Sequence, residues 1–271
     1  MIDYTHDGHV HTPFCPHGST DSLNAYVEQA LAQGVRTLTF TEHAPLPARF
    51  IDPTPDQDSA MALDLLPRYI EEVGQLKRDY AERLEIRIGL EIDYLPGYVD
   101  ETLALLEPYR SYLDETILSQ HFLQVEGELL PVDFSPETFD ALVSRIGSFE
   151  EVLHRYYEAL ETGLQFPWER LNVARIGHID LPIKYQTNYS WDRANVKDAE
   201  SRLLRTIASR GFGLDFNTAG LRKAACGQPY AMAVAAEATR LGIPLVLGSD
   251  AHIAADVGAD FKNMQKKATF L

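Results

Sequence analysis

Two periods of hydrophobic and polar residues alternate along this chain. Short β-branched runs, such as Val35–Thr41 (VRTLTFT), separate longer stretches whose apolar residues return every three or four positions. Asp3–Thr12 predicts a first strand. The next stretch places Leu23, Tyr26, Val27, Ala30 and Leu31 on one helical face, with Gly34 as the stop. Val35–Thr41 is the second strand. Leu66, Tyr69, Ile70, Val73, Leu76, Tyr80 and Leu84 predict a helix over Leu66–Leu84, with Pro67 in the first turn, where a missing N–H costs little. The rhythm continues with strand Ile86–Ile92, helix Val99–Leu106 and strand Glu115–Ser119. Phe122–Val132 reads as a hairpin around Glu126-Gly127-Glu128, followed by helices at Pro136–Arg145 and Phe149–Gly163. Strand Val173–Gly177, helix Val196–Arg210, strand Gly213–Phe216, helix Tyr230–Leu241 and strand Pro244–Gly248 complete the pattern.

Seven strands alternating with helices imply an α/β fold of parallel strands joined by crossovers. Closed, such a sheet is a (β/α)7 relative of the TIM barrel. Open, it is a doubly wound sheet. No repeat, linker or low-complexity stretch divides the chain, so residues 1–271 are expected to form one domain carrying a small hairpin and helical insertion.

Polar residues gather at the predicted strand ends. The first strand ends in His9-Val10-His11, with His17 beyond a turn, and the second in Thr41-Glu42-His43. The next three lead into Glu91, His121 and His178, the sixth into Asn217, and the last into Asp250-Ala251-His252. Seven of the nine histidines lie at these ends, leaving only His6 and His154 elsewhere. A lone histidine at such a position is more often a satisfied core side chain, but coincidence at six strand ends is not expected. In barrels of this kind the C-terminal face carries the active site. Residues two apart on a strand share a face, which pairs His9 with His11 and Asp250 with His252. Imidazole and carboxylate donors together suit Zn, Fe or Mn.

Composition narrows the partners. The 40 acidic and 24 basic residues give a net charge of −16, a field that repels nucleic acid phosphates. An anionic substrate would then need local cations, either metals or placed basic side chains. No run of about 18 apolar residues suggests a membrane span. Met1-Ile2-Asp3-Tyr4 lacks the features of a secretory signal, and two cysteines, Cys15 and Cys226, make no disulfide framework, so a cytoplasmic protein is expected. Cys15 lies between His11 and His17 and is expected to pack against the site rather than to bind metal. No pattern defines an oligomeric state.

The His-x-His start, Thr41-Glu42-His43, Glu91, His121, His178 and the closing Gly248-Ser249-Asp250-Ala251-His252 resemble the PHP (polymerase and histidinol phosphatase) superfamily, over about residues 4–258. More narrowly, the segment His9–Gly18 (HVHTPFCPHG), Gly177–Leu181 (GHIDL) and Asn217–Lys223 (NTAGLRK) are similar to its histidinol-phosphate phosphatases. The resemblance implies a distorted (β/α)7 barrel with two to three divalent metals. His9, His11, Glu91 and Asp250 would bind one, His17, His43 and His252 a second, and Glu91, His121 and His178 a third, with Glu91 bridging. It implies hydrolysis of L-histidinol phosphate by a metal-activated hydroxide, in histidine biosynthesis. Asp250 would orient the nucleophile, and His252 would protonate the leaving alkoxide if not committed to metal. Electrostatic positioning dominates phosphoryl transfer, which selects Arg222 and then Lys184 as cations for the substrate phosphate. An acidic side chain from the insertion is expected to meet the cationic end of the substrate. The alternatives are another small phosphate ester or nucleotide, a metal-dependent amidohydrolase, and a binding module without turnover.

Overall fold

The computed structural model describes residues 2–267, so residue 1 and residues 268–271 of the expected single domain lie outside the described residues. Seven parallel strands form one sheet: β1 (His6–Val10), β2 (Thr37–His43), β3 (Glu85–Asp93), β4 (Thr116–Ser119), β7 (Val173–Ile176), β8 (Gly213–Asn217) and β9 (Leu245–Gly248). They pair in that order. The ring closes through a parallel bridge between Val10 and Ala251, flanked by Asp250 N–H to the His9 carbonyl (2.7 Å) and His11 N–H to the Ala251 carbonyl (2.9 Å). The sheet is therefore a nearly closed seven-stranded barrel of the distorted TIM type, not an open doubly wound sheet. The hairpin is present as β5 (Phe122–Val125) and β6 (Glu128–Pro131), an antiparallel pair outside the barrel.

The helices are α1 (Leu23–Gln33), α2 (Leu66–Asp79), α3 (Val99–Leu106), α4 (Pro136–Ile146), α5 (Phe149–Gly163), α6 (Lys197–Arg210), α7 (Ala235–Arg240) and α8 (Phe261–Lys267). Three differ from the sequence pattern, α8 because no helix is expected there after the strand Pro244–Gly248. α2 stops at Asp79 rather than Leu84, because Tyr80 leaves helical geometry and residues 80–84 turn into β3. The helix expected over Tyr230–Leu241 is shortened to α7 by the left-handed Ala231 (φ 62°) and a 3-10 turn at Met232–Val234. The first strand likewise shrinks from Asp3–Thr12 to His6–Val10.

On β3, Ile86, Ile88, Leu90 and Ile92 pack outward into the core beneath the helices, while Arg87, Gly89, Glu91 and Asp93 take the opposite face. The barrel interior is polar and narrow. A Cβ on Gly177 would lie 2.0 Å from Ser119 Oγ, and one on Gly248 would lie 2.3 Å from Asp215 Oδ1. β1 loses regular register with β2 between Asp7 and Val10. His9, within this irregularity, and His11, just past it, both turn into the barrel mouth, a re-aiming that bulges commonly perform near active sites.

The floor of the barrel is closed by charge. Arg175, 1% exposed, pairs with Glu115 at 3.1 Å and donates to the Gly8 carbonyl, while Thr39 Oγ1 donates to Glu115 at 2.6 Å. Burial opposes ionisation of Glu115, yet contacts with His6, Arg175 and Thr39 outweigh it and hold the carboxyl well below its ordinary 4.5. Its contribution to stability is thus full above pH 4.5 and is lost as pH falls below it. Glu115→Gln strands the Arg175 charge and should lower urea stability near pH 7 by roughly 3–5 kcal/mol, with the gap to wild type shrinking in acid. Equal midpoints at both pH values would contradict this.

Candidate metal centre

Glu91, at the C-terminal end of β3, stands at the middle of the barrel mouth with its side chain 1% exposed. One carboxylate oxygen, Oε2, faces His9 Nε2 (3.4 Å), His11 Nε2 (3.5 Å) and His43 Nδ1 (3.2 Å). The other, Oε1, faces His178 Nε2 (2.9 Å) and His121 Nε2 (3.7 Å) and accepts from Ser119 Oγ at 2.6 Å. Asp250 Oδ1 approaches His11 Nε2 at 3.2 Å and His9 Nε2 at 3.7 Å. Its backbone sits in the left-handed region (φ 53°), which aspartate tolerates better than most residues. His252 stacks on His11 at 4.0 Å between ring centroids, and the exposed ring of His17 lies 5.1 Å from those of both His43 and His252. All nine predicted donors therefore meet in one place.

The outer ring nitrogens explain how these imidazoles are oriented. His17 Nδ1 donates to the Asp58 carbonyl (2.8 Å) and His252 Nδ1 to the Asp250 carbonyl (3.2 Å); since a carbonyl only accepts, Nε2 of each ring keeps its lone pair. Carboxylates take the same position on His9 (Asp215, 2.8 Å), His11 (Glu42, 3.4 Å) and His121 (Asp93, 2.8 Å). Such outer partners fix the tautomer and strengthen the inner nitrogen as a metal donor. Sequence reasoning missed Asp93 and Asp215. Asp93 is two residues after Glu91 and Asp215 two before Asn217, so period-two counting along those strands carried the signal. Glu42, read only as part of Thr41-Glu42-His43, is buried and also holds the Thr12 N–H (2.8 Å) and hydroxyl.

The inner atoms are left without partners. His9 Nε2, His11 Nε2, both nitrogens of His43 and Glu91 Oε2 are buried and make no hydrogen bond among the described residues. Unpartnered buried polar atoms are costly, and these converge on shared points. Two donor sets, His9–His11–Asp250 and Glu91–His121–His178, each lie within 4.8 Å of one another, as does a third, His11–Cys15–His43–His252. The residues present fit divalent metal. Charge tells the same story. Burial opposes protonation of His11 and His121, yet Asp250, Glu42 and Glu91 push the former up to about 9, and Asp93 and Glu91 push the latter up to about 10. The carboxylates demand positive charge at this spot. Cys15 is buried; burial, then Glu42, pushes its thiol far above its ordinary range. Asp215→Asn should weaken metal affinity roughly 10–100-fold in chelator competition, because the outer acceptor of His9 loses its charge. Unchanged affinity would contradict that role.

Arg222 and Lys184 line the cavity of about 570 Å³ that opens onto these donors. Arg222 is braced by the Ser249 carbonyl (2.6 Å) and Asp256 (3.2 Å), and its Nη1 has no hydrogen-bond partner among the described residues. Lys184 is held by Asp133, 3.0 Å away.

Fold and site together define an α/β-barrel metalloprotein that gathers imidazole and carboxylate donors at its C-terminal mouth. Residues 7–219 match the PHP domain, and the chain belongs to that family. It is 45% identical to the histidinol-phosphatase of Bacillus subtilis over 254 residues, 93% of this chain and 95% of the relative. The structure of a candidate histidinol phosphatase from Listeria monocytogenes is 34% identical, with a TM-score of 0.90 over 95% of this chain and 99% of that one. A histidinol phosphate phosphatase from Lactococcus lactis, solved with zinc, L-histidinol and phosphate, shares the fold at 23% identity, with a TM-score of 0.73 over 100% of this chain and 95% of that one.

Proposed function

We propose that this chain is a metal-dependent phosphatase that hydrolyses L-histidinol phosphate to L-histidinol and phosphate, a reaction of histidine biosynthesis. The observation that carries the reading is the 45% identity along 93% of the chain to a histidinol-phosphatase. The intact donor set around Glu91 supports it. His9, His11 and Asp250 with Glu91, His17, His43 and His252, and Glu91, His121 and His178 would hold two to three ions of Zn, Fe or Mn. Bound metal supplies Lewis acidity, which makes water nucleophilic at neutral pH and offsets charge on the phosphoryl oxygens.

The chain's own groups supply the rest. Arg222 offers an unpartnered Nη1 from a braced guanidinium, and so receives a phosphate oxygen without first being ordered. Lys184 adds positive charge on the same cavity, though Asp133 offsets part of it. Asp250 accepts from Asn217 Nδ2 through Oδ2 (3.1 Å), leaving Oδ1 to orient the attacking water and to take its proton. Burial, then the neighbouring His11, holds His252 well below the usual imidazole range, which favours ligation over proton donation. Among the described residues no helix is long and apolar enough to cross a membrane, and both cysteines are free thiols; the latter supports a cytoplasmic setting for a one-domain enzyme.

The direct test is phosphate release from L-histidinol phosphate beside a panel of other monoesters, with a chelated control. A kcat/KM well above every other ester, abolished by chelation, is expected; equal slow turnover of all esters would overturn the substrate. Arg222→Ala should lower kcat/KM roughly 10–100-fold, and unchanged constants would remove it from the phosphate site.

A further inference from the structure

The cavity over the metal centre is electrically lopsided. Its carboxylates are Asp58, Glu91, Asp133, Asp250 and Asp256. Glu91 and Asp250 face the imidazoles, Asp133 is paired with Lys184, and Asp256 is paired with Arg222. The Asp58 carboxylate differs from all of these. Asp58 is a half-buried residue of the cavity wall, and its carboxylate makes no hydrogen bond or ion pair among the described residues.

Topology puts this free negative charge across from the cations. Asp58 belongs to the segment that follows β2, whereas Arg222 and Lys223 stand on the turn that follows β8. In the ring β1-β2-β3-β4-β7-β8-β9, β2 and β8 are three steps apart, the largest separation seven strands allow.

Asp58 is also presented rigidly. The Asp52 carboxylate accepts from Thr54 N–H (2.9 Å), Thr54 Oγ1 (2.8 Å) and Ser59 N–H (3.0 Å), pinning the segment that contains it. The Asp58 carbonyl accepts from His17 Nδ1 at 2.8 Å, so the same residue touches the metal centre through its backbone. With the backbone held, only the short Asp58 side chain itself has to be ordered when a cation arrives.

We propose that Asp58 is a specificity-determining residue whose carboxylate receives the positively charged end of the substrate, an ammonium or a protonated imidazole, while the phosphoryl end lies at the metals and Arg222. The inference rests on the phosphate-ester reading above. It differs from the expectation that an acid of the hairpin insertion serves this purpose, because Asp133, just past that hairpin, already holds Lys184.

The test compares kcat/KM for L-histidinol phosphate, 2-aminoethyl phosphate and p-nitrophenyl phosphate in wild type, Asp58→Asn and Asp58→Glu, with metal content measured in each. Asn keeps the side chain's size and leaves the backbone carbonyl on His17. The preference for the two cationic esters over p-nitrophenyl phosphate should fall roughly 10-fold or more in Asp58→Asn, mainly through KM, with metal retained. Asp58→Glu should keep most of that preference. An undiminished preference in Asp58→Asn overturns the proposal, and so does a loss that tracks metal depletion. If wild type favours 2-aminoethyl phosphate over L-histidinol phosphate and Asp58→Asn removes that preference, Asp58 stands and the histidinol assignment falls.

Discussion

One carboxylate organises this molecule. Glu91 presents Oε2 to His9, His11 and His43 and Oε1 to His121 and His178, so five side chains from four other strand ends depend on a single anion. In a dry barrel mouth an unpartnered carboxylate oxygen, Glu91 Oε2, is expensive, and the inner ring nitrogens that face it without hydrogen bonds among the described residues double the difficulty. Divalent metal resolves both at once. The outer shell of Asp93, Asp215 and Glu42 then turns the rings so that their inner nitrogens meet where the metal would be.

The scaffold is shaped around that arrangement. Gly248 lies where any side chain would strike the His9–Asp215 pair, its Cβ position being 2.6 Å from His9 Cβ. The irregular register of β1 brings His9 and His11 into the mouth together, and the ring closes just there through Val10 and Ala251. The ion pair of Arg175 and Glu115 fills the opposite end, where two charges substitute for an apolar plug. Strand packing and metal chemistry are therefore served by the same short segments.

Much of this was legible in the sequence. Alternation on Glu85–Asp93 separated a helix-facing apolar row from a polar row that includes Glu91, and six strand ends carried ligand types. Side chains that act through a neighbour were harder to see. Asp215 and Asp93 resemble ordinary strand-end carboxylates until a histidine from a distant segment is placed against them, 206 residues away for the His9–Asp215 pair. Barrel closure was also undecidable from periodicity, since it rests on one short bridge. Helix α7 was over-extended because residues 230–234 keep helical spacing of apolar side chains while Ala231 adopts a left-handed backbone. The solitary state of Asp58 depends on which acids find cations, a property of three-dimensional pairing alone.

The central claim is that Glu91 is shared between metal sites rather than belonging to one. Metal stoichiometry of Glu91→Gln, measured by elemental analysis after saturation and gel filtration, tests it most directly. Glutamine keeps the shape but loses the charge and one anionic oxygen. The account predicts that metal is lost from the His9–His11–Asp250 and His121–His178 positions together, in a protein that retains its wild-type circular dichroism. Loss of a single equivalent, with the remainder bound at wild-type affinity, would contradict it.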